Sequence, residues 1–264
     1  MSWFIFYFRM KSFYKNIFLV FLLFIFSCGL DNIILVDSPL KIDNRASRDV
    51  LAFALPSFYF DNNDNAKVKG FDIYYKFYPE GSNYHSDGFT KSVQRDFNAL
   101  KSVFNNVNAF NERGFYKINL DDDHFSGKPT VKLNKSWIQG KFPLYFELDF
   151  GNLRKSTPGS VLFSIKKGND FSAPLIGDVK TVYRSYTVDG FYVEFSEALK
   201  KSKLLDSNER PFDLKQISND FFTKDVFPKY NLVIFVMAAG NAIESDLYSV
   251  IVNIGTLHSF ELLN

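Results

Sequence analysis

Cysteine is nearly absent: the 264-residue chain has one, Cys28. A lone thiol excludes an internal disulfide and any cysteine-built zinc site. Tryptophan and methionine are scarce as well, at 2 and 3 residues. An excess of one charge is also missing, because 31 Lys and Arg face 29 Asp and Glu. A chain so balanced lacks the basic face that nucleic acid requires, so no nucleic-acid partner is expected. Only one long apolar run occurs, Ile17 to Phe26, which is too little for a bundle of membrane helices. There is no Gly-rich phosphate loop and no Gly-x-Ser-x-Gly elbow. His85, His124 and His258 are far apart, and none forms a metal-spaced pair. No cofactor is expected, and no internal repeat is evident.

Aromatic residues are abundant, with 32 Phe and 14 Tyr, and hydrophobic residues make up 46% of the chain. That content excludes intrinsic disorder, and the length allows one large domain or two small ones. Asn, Ile, Lys and Tyr are plentiful too, a bias that fits AT-rich coding.

The first thirty residues read as an address. Arg9, Lys11 and Lys15 form a positive stretch, and the ten-residue apolar run follows without a charge. Ten residues are too few for a comfortable membrane span and suit a signal-peptide core. The run ends at Ile25-Phe26-Ser27-Cys28-Gly29. A lipoprotein signal needs a branched aliphatic at −3, a small residue at −1 and Cys at +1, and Ile25, Ser27 and Cys28 supply these. The thiol takes a diacylglyceryl group as a thioether, and cleavage before Cys28 exposes an amine that can be acylated. A buried amino-terminal helix with an incidental Cys, or an uncleaved anchor, is the alternative. Lys11 to Gly29 resembles the leaders of spirochaetal (borrelial) lipoproteins, which accept a bulky residue such as Phe26 at −2. Translation starts at Met1 or at Met10, since Lys11 and Lys15 alone make an adequate positive region.

The expected organisation is a signal peptide over 1–27, a lipidated Cys and short tether over 28–36, and a β-rich globular region over 37–264. Removing 1–27 takes away Arg9, Lys11 and Lys15 and no acid. From the full 31 and 29, that leaves 28 basic and 29 acidic residues. Two or more acyl chains give stable anchoring, so the mature protein is expected on a membrane without spanning it. Its expected location is the cell envelope, with the outer membrane favoured and the periplasmic or surface face left open. The tether is short, because Ile33-Ile34-Leu35-Val36 already reads as a strand.

The body reads mainly as strands. Phe71, Ile73, Tyr75 and Phe77 alternate with Asp72, Tyr74, Lys76 and Tyr78. Leu144, Phe146, Leu148 and Phe150 alternate with Tyr145, Glu147 and Asp149, and Phe191, Val193 and Phe195 with Tyr192, Glu194 and Ser196. Such period-two patterns mark half-buried strands of antiparallel sheets. Residues 116–120, 131–133 and 161–165 follow the same rule. Leu232 to Met237 is apolar on both faces, which suits a central strand covered on both sides or a strand under an inserted helix. Turn signals stand at 61–65, 79–81, 167–170 and 239–241.

Val93, Phe97, Leu100, Phe104 and Val107 recur at helical spacing, with Thr90 or Ser92 as a possible cap. Leu214, Ile217 and Phe221 suggest a second helix after Pro211, and Glu197 to Leu205 a third. Tyr74, Tyr78 and Tyr145 alternate onto the faces opposite the aliphatic ones, where they either mark an interface or pack under the first helix in a second apolar layer above the sheet. The strongest internal break is Ser156-Thr157-Pro158-Gly159-Ser160, which either divides two lobes or is a hairpin loop.

Tyr230 to Asn241, then Tyr248 to Val252, resembles the last two strands of a fibronectin type III domain, strands F and G. Gly70 to Lys76 resembles strand C, and Leu51 to Pro56 strand B. The resemblance implies a β-sandwich of fibronectin type III or immunoglobulin type and a binding or spacer role. Strands C and F lie too far apart for a plain module of about 100 residues. Either an insertion carrying the helix interrupts one sandwich, or two sandwiches stand in tandem. The expected fold is therefore a mainly β antiparallel sandwich with one to three inserted helices.

The candidate metal ligands are Asp121, Asp123 and His124, in a run of three Asp and a His, since hard cations take several carboxylate oxygens. The alternative is a solvated turn after the 116–120 strand. The Asp61–Asn65 run invites the same reading but lacks the Gly and terminal Glu of a calcium loop. Ser57, Ser164 and Ser196 are conceivable nucleophiles, with no paired base in view. The expected function is a lipid-anchored, non-catalytic binding or structural module, with the membrane and a protein of unknown identity as partners. A solute-binding lipoprotein or an envelope hydrolase is the alternative.

Overall fold

Alternation places one apolar face of each long strand against another sheet, and the result is a mainly β, antiparallel sandwich. The computed structural model describes residues 36–43, 48–55, 68–80, 86–102, 107–120, 129–138, 142–154, 159–170, 172–189, 191–197, 205–208, 210–217, 229–241 and 246–261. The chain divides into two units, Met1–Ile34 and Leu35–Asn264. All described residues belong to the second.

The strands are β1 (Leu40–Ile42), β2 (Val50–Leu55), β3 (Gly70–Pro79), β4 (Tyr116–Lys117), β5 (Asn119–Leu120), β6 (Val131–Lys132) and β7 (Leu144–Asp149). They continue as β8 (Leu162–Lys167), β9 (Lys180–Val188), β10 (Phe191–Glu194), β11 (Lys229–Asn241), β12 (Asp246–Tyr248) and β13 (Val252–Glu261). The first sheet runs β1-β2-β7-β8-β9-β10, with β5 also on β9. In the second, β11 lies between β3 on one side and β12 and β13 on the other, while β4 and β6 pair the far side of β3.

The inward faces meet as predicted from period two. Phe53 of β2 stacks on Phe146 of β7 at 4.8 Å, and both tilt against Phe71 of β3 at 5.6 and 5.4 Å. Deeper in, Phe195 packs edge-on against Tyr75 and Phe150. Burying one such ring contributes about 1.5–3 kcal/mol.

The opposite face of the second sheet is covered too. Helices α1 (Ser86–Lys101) and α2 (Val107–Glu112) lie over it. Tyr74 and Tyr78 of β3 and Val233, Phe235 and Met237 of β11 pack there with Val93, Leu100 and Phe110. This is why Leu232–Met237 is apolar on both faces. Tyr145 differs from the other two tyrosines: it faces outward from the first sheet, and its hydroxyl donates to the Asn169 carbonyl at 3.0 Å.

Several expectations need correction. Thr90 and Ser92 are not caps, because α1 begins four residues before Thr90. The single stripe from Val93 to Val107 is split between two helices, and Phe104 lies outside the described residues. Among the described residues, the segment after Pro211 forms a 3-10 turn, Phe212–Leu214; Phe221 lies outside the described residues, as do 198–204 of the third expected helix. A one-turn helix, α3 (Lys135–Ile138), was not foreseen. Residues 239–241 are no turn: β11 runs through them and pairs with β12. Of Ile33–Val36, only Val36 is described, and it is buried outside any strand.

Residues 116–120 do not form one strand. β4 pairs with β3, and β5, two residues on, pairs with β9 of the other sheet. Between them the Ile118 N–H donates to the Ile73 carbonyl at 2.7 Å. The Ser156–Ser160 break falls in the connection between β7 and β8, which are antiparallel neighbours in one sheet.

Candidate functional site

Strand β9 carries Val182 and Arg184 on its inward side, and both are buried. An arginine there needs a carboxylate, since an unpaired buried charge is prohibitively costly. Asp213 supplies it from the turn that follows Pro211. Arg184 Nε donates to Asp213 Oδ2 at 2.8 Å and Nη2 to Oδ1 at 2.7 Å, a bidentate pair with both side chains closed to solvent. The Tyr75 hydroxyl, from β3, donates to Asp213 Oδ2 at 2.7 Å and accepts the Ser185 N–H at 2.9 Å. The guanidinium also stands 5.2 Å from the centre of the Phe77 ring. Tyr116 donates to the Phe212 carbonyl at 3.2 Å and packs on the Phe212 ring.

The electrostatics follow from burial and pairing. Burial opposes the Arg184 charge, but Asp213 outweighs it and holds the guanidinium above its ordinary value. Burial, then Asp213, pushes Tyr75 well above the usual phenol range. The same two causes push Tyr116 up to about 12. With both phenols protonated and the charge pair closed, this centre holds β3, β9 and the Phe212–Leu214 turn together.

Two further polar groups tie layers. Asp72 bonds Lys117 at 2.5 Å and accepts the Thr130 N–H at 3.1 Å, which joins β3, β4 and the approach to β6. Burial raises the Asp72 carboxyl, and Lys117 and Thr130 only partly offset it. Between sheet and helix, Asp96 of α1 accepts from Lys76 Nζ at 2.8 Å and from the Tyr78 hydroxyl at 2.9 Å. Lys76 also donates to the Arg113 carbonyl. Burial works against the Asp96 charge, yet Lys76 and Tyr78 prevail and its carboxyl lies below the usual aspartate value.

The residues singled out in the sequence are placed differently. Cys28 and the preceding Ile25, Phe26 and Ser27 lie outside the described residues, as do Asp121, Asp123, His124, His85, Ser57 and the 61–65 run. Among the described residues, no three His, Cys, Asp or Glu side chains gather as metal ligands. No helix among them is long and apolar enough to cross a membrane. Ser196 donates to Glu194 Oε2 at 3.2 Å, which also accepts from Ser160 at 2.6 Å. Ser164 sits on β8 opposite Glu147. His258 Nδ1 lies 3.2 Å from Asn231 Oδ1.

Arg184 and Asp213 were missed in the sequence. The signal for β9 was present: a run rich in β-branched and aromatic residues before the turn dipeptide Asp-Gly at 189–190; Asp189 has φ 51° and Val188 pairs with Phe191. An inward arginine interrupts the apolar alternation and hides the strand. Asp213 carries no local sign of its role.

No protein-family profile, curated protein or solved structure matches the chain.

Proposed function

We propose that this protein is a lipid-anchored protein of the cell envelope, acting as a non-catalytic binding or structural module. The observation that carries the reading is the sequence Ile25-Phe26-Ser27-Cys28, which closes a charged and then apolar leader on the only cysteine of the chain. The division of the chain at Ile34 and Leu35 accords with a leader and tether ahead of a separately folded body. Three of the body's described buried charges, Arg184, Asp213 and Asp72, each bond to groups on other strands or turns, which suits a scaffold.

The body is read as a fibronectin type III-like sandwich enlarged by insertions. Support comes from pairing: β11, likened to strand F, lies between β3, likened to C, and β12 and β13, likened to G. The order β1-β2-β7 matches A-B-E of such sandwiches. Helices α1 and α2 and strands β8 to β10 are then additions to that frame.

The test is metabolic labelling with a fatty acid, followed by mass spectrometry of the amino-terminal peptide. A diacylglyceryl thioether on Cys28, lost in Cys28→Ala, is the expected outcome. An unmodified Cys28 still joined to the leader overturns the reading. Proteolysis of intact cells then tells surface display from the periplasmic face.

A further inference from the structure

One end of the sandwich is marked by where the chain enters it. Val36 is buried and β1 starts at Leu40. The residues level with Leu40 across the first sheet are Ala54, Tyr145, Lys166 and Leu175. Leu40 and Leu175 are 51% and 52% exposed at the two sides of this row. Phe142, two residues before the Leu144 that pairs with Leu55 and Lys167, extends past the same end and is 54% exposed. Val250, 45% exposed, belongs to it too, because Ser38 Oγ donates to the Val250 carbonyl at 2.7 Å. Four apolar side chains from separate segments thus rim one end. Lys69 and Lys132 are exposed beside Gly70, at the start of β3. Asp37 and Asp170 are exposed on segments of this end as well, so the apolar side chains, not net charge, define it.

The other end carries the turn of the β9–β10 hairpin, with Phe191 78% exposed. Strand directions fix the separation. Phe163 lies three residues beyond Lys166 and pairs with Lys180, and β9 runs eight more residues to Val188. At a strand rise of 3.3 Å, that places the hairpin turn about 36 Å from the Leu40 row.

We propose that the entry end, rimmed by Leu40, Phe142, Leu175 and Val250, rests on the lipid bilayer, and that the Phe191 hairpin points away from it. This rests on the lipoprotein reading above. Seven residues lie between Cys28 and Val36, eight Cα-to-Cα steps that span at most about 28 Å. An inverted body, with the hairpin on the bilayer, would hold Val36 farther from the lipid than that tether reaches. The occupant of the entry end is then the bilayer that holds the Cys28 acyl chains. The exposed apolar rim matches its interfacial layer.

The test uses the full chain, lipidated in a bacterial host and reconstituted in vesicles of phosphatidylcholine and phosphatidylglycerol. Because Cys28 is a thioether, a cysteine introduced by Leu40→Cys, Phe142→Cys, Leu175→Cys or Phe191→Cys is the only labelled thiol. All four sites are exposed, so folding is preserved. A fluorophore at 40, 142 and 175 is expected to be quenched by spin-labelled lipid at least about threefold more than one at 191. Equal or stronger quenching at 191, or none at any site, in protein whose mass shows the acyl thioether overturns the orientation alone. Protein lacking the thioether overturns the lipoprotein reading and the orientation with it.

Discussion

Arg184 and Asp213 face each other inside the sandwich, joined by two hydrogen bonds, with neither side chain open to solvent. Asp213→Ala leaves a buried guanidinium without its counter-charge and is expected to cost about 3–5 kcal/mol. Replacing both, as Arg184→Met with Asp213→Leu, is expected to cost less than either single change, since a buried pair repays little beyond its own desolvation. Urea unfolding of the native chain, Asp213→Ala, Arg184→Met, Asp213→Leu and the double variant checks this. Single-variant losses under about 1 kcal/mol would contradict the closed pair.

Tyr75→Phe removes one hydroxyl and two hydrogen bonds, leaving the Ser185 N–H without that acceptor. The expected loss is about 1–3 kcal/mol, read from the denaturation midpoint. Core packing is retained, so the unfolding slope should not change.

Asp96 sets a dependence on acid. Its folded carboxyl lies below the ordinary value, so its contribution is full above the unfolded aspartate value and is lost as pH falls through the folded one. Asp96→Asn is expected to be less stable than the native chain at neutral pH by about 1–3 kcal/mol. The gap should close in strong acid. Asp72 has the opposite sign: its raised carboxyl favours the fold at low pH, and that contribution fades as pH rises through the interval between its unfolded and folded values. A gap for Asp96→Asn that stays constant from neutral pH to strong acid would refute the assignment.

Gly70 is required by closeness. A Cβ there would stand 1.9 Å from the Val131 carbonyl oxygen, which belongs to the paired strand β6. Gly70→Ala is expected to destabilise by about 1–3 kcal/mol and to loosen β6. Faster amide exchange around Lys132 and Leu133 is the readout, and unchanged exchange would argue against that close approach.

Much of this architecture was legible because the burial of a strand shows in alternation. β3, β7 and β11 were readable from Phe71–Phe77, Leu144–Phe150 and Leu232–Met237, and a covering helix from the Val93–Val107 spacing, in keeping with β11 being apolar on both faces. What stayed hidden involved contacts at long range. Arg184 breaks its strand's pattern for the sake of a residue 29 positions away. The 116–120 stretch alternates perfectly well yet serves two sheets, because alternation names a face and not a neighbour. The helix start failed for a local reason: hydroxyls at 90 and 92 resemble caps wherever they fall.

The change of partner at Ile118 has a mechanical meaning. A cord of five residues is stitched into both halves of the body, so neither half slides past the other without tearing hydrogen bonds in both. A pull on either sheet is therefore passed to the other through Ile118 and its neighbours.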